Sequence, residues 1–101
     1  MTLHLVILRP DAAEGTAAAG AIRTVLREAV WEVADSHWAP SEDAVLVSTD
    51  LSPDYLLAHF RQALAQRGHS DPGMLLVVPV GPSTAWSGMP ADAEAWMAAA
   101  R

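Results

Sequence analysis

Asp35, Ser36 and His37 stand side by side in the chain. They are the residue types of nucleophilic catalysis: a hydroxyl to attack, an imidazole to take its proton, a carboxylate to orient the imidazole. Their adjacency argues against that use. On an extended strand, neighbouring side chains point to opposite faces, so three consecutive residues cannot line up as a relay. Asp35 and Ser36 fit better as partners for backbone groups at a strand end or bulge. Asp11, Asp35 and Asp50 each fall near a strand end, and carboxylates converging from such places could hold a divalent metal. Scattered single carboxylates also serve as turn and cap residues. His4, His37, His59 and His69 have no metal-ligand spacing. His4 is expected on the first strand and partly buried, and His59 exposed in mid-helix beside Phe60. Gly15 and Gly20 match no phosphate cradle. The chain has no cysteine, hence neither thiolate chemistry nor a disulfide framework. No catalytic motif stands in it.

The remaining chemistry-bearing residues are aromatic and basic. Trp31, Trp38, Trp86 and Trp96 are many for 101 residues. Indole buries much apolar area, so Trp31 and Trp38 read as packing. Trp86, on the loop after the last strand, and Trp96, on a tail helix, read equally well as interface anchors, and Trp38 joins them as an interface candidate. Every basic residue is arginine, the pattern expected from codon bias in a GC-rich genome, and the net charge is -6. An acidic total disfavours broad binding to a phosphate backbone. A local patch stays open, since Arg23, Arg27, Arg61 and Arg67 all fall on helical segments. A solvated helix face is the plainer reading, with Arg61 and Arg67 as the binding candidates.

These residues need a scaffold. A chain of 101 residues with 51% hydrophobic residues suits one domain, 1–101, with a single core. The first segment, Thr2 to Leu8, lacks the features of a signal peptide, and no apolar run approaches the ~20 residues of a membrane span. A cytoplasmic protein is the expectation. Leu3, Leu5 and Ile7 alternate with His4, Val6 and Leu8, so both faces of this strand are largely apolar, as in a central strand. Ala18, Ile22, Val25, Leu26, Ala29 and Val30 recur at helical spacing, with Thr16 as a plausible N-cap. Trp31 and Val33 alternate about Glu32, which predicts a second strand beginning near Val30 or Trp31. Ala39 to Asp43 reads as a turn, and Ala44 to Ser48 as a third strand in a hairpin with the second. Ser52-Pro53-Asp54 opens a helix through Leu64, with Gly68 past its end. Met74 to Val80 is a fourth strand, with Pro79 demanding an edge. Ala91 to Ala100 is a short tail helix.

The order β-α-β-β-α-β plus a tail helix predicts an α+β ferredoxin-like sandwich: a four-stranded antiparallel sheet, two helices on one face and a short C-terminal helix. Such a sheet leaves its other face bare. Apolar residues on both sides of strands one and four make that costly and point to a dimer, with the tail helix covering part.

Asp35-Ser36-His37-Trp38, Thr49-Asp50-Leu51-Ser52, and Leu75-Leu76-Val77-Val78 followed by Ala85-Trp86-Ser87-Gly88 resemble a group of small bacterial proteins labelled SinR-like. These are similar to the CRISPR adaptation subunit that sits beside the integrase, in a superfamily that includes the virulence-associated protein D toxins. The resemblance spans Val30 to Met89. It implies a homodimer of ferredoxin-like subunits acting as a structural or interaction module, with a nucleic-acid or other protein partner. Some superfamily members are metal-dependent nucleases, using Mg or Mn, with an aspartate at the end of the first strand. Here Arg9-Pro10 stands in that place and Asp11 follows. A guanidinium there repels a metal ion, so Asp11 and Asp35 are the only catalytic candidates. Ala39 to Asp43 is a second departure, an apparent insertion. The expectation is therefore a non-catalytic module without cofactor. The rival readings are a metal-dependent nuclease of RNA or DNA, and a small-molecule enzyme of the dimeric ferredoxin-like class with an apolar cleft near His4 and Trp31.

Overall fold

The computed structural model describes residues 2–10, 15–81 and 84–100. Its elements are β1 (Thr2–Pro10), α1 (Gly15–Val33), β2 (Ser36–Ser41), β3 (Ala44–Thr49), α2 (Pro53–Gln66), β4 (Gly73–Val80) and α3 (Ala91–Ala100). The strands form one antiparallel sheet in the order β2-β3-β1-β4. This is the α+β, ferredoxin-like arrangement with an added C-terminal helix.

β1 is central, paired with β3 from Thr2↔Thr49 to Ile7↔Ala44 and with β4 from Leu3↔Val80 to Pro10↔Gly73. Its alternation sorts the two faces. Val6 and Leu8 enter the core that α1 and α2 share with Val45 and Val47. Leu3 and Leu5 face the other way, onto a second cluster built around α3. Apolar residues on both faces therefore reflect two distinct covers, as expected for a central strand. β4 is an edge strand, where Pro79, lacking an N–H, is tolerated.

α2 starts as its residues dictate. The Ser52 hydroxyl accepts from the Tyr55 N–H at 3.1 Å, Pro53 opens the first turn, and Asp54 sits at the positive end of the dipole. Leu56, Phe60 and Leu64 form its buried stripe. Gly68 takes φ 86°, the left-handed turn that ends many helices, and the His69 N–H closes onto the Leu64 carbonyl at 2.8 Å.

α1 departs from expectation. It continues through Val33, and β2 begins only at Ser36. Val30 and Val33 extend the stripe of Ile22, Val25, Leu26 and Ala29, so the helical period wins. Trp31 and Glu32 both lie on the exposed side and Val33 is half-buried; it is the residue types Trp-Glu-Val, apolar-polar-apolar, that imitate a strand's alternation. The Thr49 hydroxyl donates to the Val33 carbonyl at 3.2 Å and so satisfies the helix end. At the other end α1 already includes Gly15, so Thr16 stands within the helix rather than ahead of it. The hairpin turn is also tighter than Ala39 to Asp43. β2 reaches Ser41, the turn falls at Glu42 and Asp43, and the register shifts between Trp38 and Ser41.

Candidate functional site

The outer face of the sheet is half covered. Ala93 and Met97 of α3 are buried against it, with Trp96 and Ala100 beside them, over Leu3, Leu46, Trp38 and Val80. Trp86 and Met89, from the segment leading into α3, join this cluster. The cover stops short of the β4 edge. There Met74, Leu76 and Val78, every second residue of the strand, are 48%, 43% and 38% exposed. Their β1 partners are Arg9, Ile7 and Leu5, of which Ile7 and Leu5 are half-buried. The result is an apolar strip along an edge strand, ending at the guanidinium of Arg9.

The helix-covered side carries a cleft at each edge of the sheet. One, about 570 Å³, lies between α2 and the start of β4, with Leu57, Ala58 and Arg61 on one wall and Asp71, Gly73 and Leu75 on the other. The second, about 260 Å³, lies between α1 and β2, with Arg27, Val30 and Trp31 facing His37 and Ala39, and Val45 behind. Trp31 is 72% exposed, and its ring meets that of His37 edge-on at 4.6 Å.

The residues expected to matter are dispersed. Asp11 lies outside the described residues. Asp35 is exposed in the link between α1 and β2, and its N–H donates to the Ser48 carbonyl at 2.9 Å. Ser36 and His37 follow on β2 with consecutive, opposite directions, so no relay forms. Among the described residues no group of three or more His, Asp or Glu is placed to hold a metal ion. His4 is fully buried, beyond the expectation of partial burial, and its Nδ1 has no hydrogen-bond partner. Burial pushes its pKa down, opposed in part by a hydrogen bond with the Thr2 backbone. Burial lowers His37 as well. His4 lines neither cleft, so it and Trp31 do not share a site. His59 is half-buried where exposure was expected. Its ring lies beside Phe60 and Tyr55, and its Nε2 is 3.4 Å from Glu32.

The arginines divide. Arg23 donates to Asp43 at 2.8 Å, a bond that pushes its pKa further up. Arg67 donates to Glu28 at 2.7 Å and ties α2 to α1. Arg61 and Arg27 have no carboxylate within ion-pair distance among the described residues. The four therefore do not act as one basic stripe. Trp38, Trp86 and Trp96 are half-buried in the α3 cluster, as packing within one chain. Trp31 reverses its expectation: it is the exposed tryptophan. Its place one turn beyond Arg27 on a helix that runs to Val33 was the signal, and the strand reading hid it. The scan against family models found no match, and the searches of curated proteins and of solved structures found none either.

Proposed function

We propose that this protein is a non-catalytic interaction module that works as a homodimer in the cytoplasm, in a structural role resembling that of the CRISPR adaptation subunit. The observation that carries this reading is the strip of Met74, Leu76 and Val78, continued by Ile7 and Leu5. An exposed apolar strip of this kind beside an unpaired strand edge marks a protein interface. A second copy, related by a two-fold axis, presents the same strip and satisfies both at once. Arg9 at the end of β1 supports the non-catalytic half of the reading, since a guanidinium disfavours a metal where nuclease relatives carry aspartate. The charge of -6 favours protein over duplex nucleic acid as the partner.

Sedimentation of the purified chain across the micromolar range tests it. A dimer is expected, and Val78→Asp is expected to give a folded monomer, because the side chain is already partly in water. A monomeric wild-type chain at these concentrations overturns the proposal.

A further inference from the structure

We propose that the cleft between α1 and β2 binds a single nucleotide unit, with its base stacked on Trp31 and its phosphate held by Arg27. The inference does not depend on the homodimer, whose surface lies at the opposite edge of the sheet.

Four observations converge on this cleft. An indole 72% exposed to solvent is a large apolar surface left without a cover. His37 meets the Trp31 ring at a steep angle on one side of the cleft, and most of the indole surface stays open to a stacking partner. Base–aromatic stacking tolerates any base because every base has a π-face. Arg27 lies four positions before Trp31 on α1, hence on the same helix face. It has no ion-pair partner among the described residues, whereas Arg23 and Arg67 are committed to Asp43 and Glu28. A guanidinium's planar fork suits a phosphate.

The fourth observation concerns the wall opposite α1. β2 is an edge strand, and the register shift between Trp38 and Ser41 leaves Ala39 and Pro40 without a ladder partner on β3. Ala39 lines the cleft, so this irregular edge segment forms the wall that faces α1. The cleft's 260 Å³ falls just below the range of about 300–1,000 Å³ typical of sites for larger ligands, which matches one ring system and its phosphate. Because the chain is acidic overall, a free mononucleotide meets less long-range repulsion than a polyanionic strand.

The test titrates the full chain with adenosine and uridine monophosphates, the matching nucleosides, and a short single-stranded RNA. Binding is followed by calorimetry and by the amide resonances of His37 and Ala39. Expected is saturable monophosphate binding that shifts both amides. Trp31→Ala and Arg27→Ala should each weaken it about tenfold, from the loss of one stacked base or one charge-assisted contact. Arg61→Ala, in the other cleft, should leave it unchanged. Nucleosides should bind about tenfold more weakly than their phosphates. Binding of the RNA with the same two losses, but not of the monophosphates, would keep the base-and-phosphate assignment and place the unit within a strand. No binding of either, or binding indifferent to both Trp31→Ala and Arg27→Ala, overturns the proposal. Circular dichroism of both variants guards against loss of fold, which the exposure of the two residues makes an unneeded explanation.

Discussion

Phe60 shows what one residue can be worth. It is fully buried at the centre of the core between the sheet and α2, so Phe60→Ala removes its burial and leaves a cavity. The expected loss is about 3–5 kcal/mol in urea unfolding. Trp31→Ala, by contrast, should change stability by no more than about 0.5 kcal/mol, as for other exposed positions. His4 adds a pH dependence whose sign follows from burial. His4 and His37 are both pushed below the usual 6.5, so the folded state favours the neutral imidazole. As pH falls, the unfolded chain takes up the proton first. Their contribution to stability is therefore complete above about pH 6.5 and is lost as pH drops through that value toward the lowered folded-state pKa values. The midpoint of urea unfolding, followed from neutral pH downward, should fall accordingly. His4→Leu should flatten part of that slope, and an unchanged slope would show that His4 is not its source.

At the level of elements, α2 and α1 show which signals a chain spells out. Ser52-Pro53-Asp54 and Gly68 are local chemistry: a cap hydroxyl, a ring with no N–H, and a residue free to take positive φ. Both ends of α2 were accordingly legible. Ser52→Ala is expected to cost about 1 kcal/mol. Gly68→Ala should cost about as much through backbone strain at φ 86°, since no neighbouring atom would meet the new methyl group. The end of α1 carried no such mark. Trp31, Glu32 and Val33 satisfy both a helical and a strand period, and only the sheet and α2 decide between them. The outer strip was illegible for a related reason. Met74 to Val80 is a continuous apolar run, and which alternate residues stay in water depends on how far across the sheet α3 lies. The cleft at Trp31 was hidden because it needed both the true end of α1 and the shifted register of β2.

The whole molecule is three layers, with α1 and α2 on one side of the sheet and α3 on part of the other. Its two edges differ in character, one bearing the apolar strip of β4 and the other the Trp31 cleft. An interface made of the β4 strip should hold in high salt, because apolar burial is not screened as surface ion pairs are. If the proposed dimer came apart in salt, the exposed arginines would be implicated instead. Met97→Ala, which removes α3's buried anchor, is expected to cost about 2–5 kcal/mol if α3 unfolds only with the rest. Limited proteolysis separates the cases: cleavage confined to 84–100 would mean that α3 opens by itself.

The position of α3 in chain order bears on how the protein refolds. All four strands and both larger helices precede it, so the sheet can assemble from them while its outer side is still open to solvent. Leu3, Leu46, Trp38 and Val80 then wait for a helix of ten residues to dock. A chain that shows a wide apolar surface in this interval is exposed to wrong association. Aggregation during refolding should therefore rise with protein concentration most steeply before α3 closes over that face.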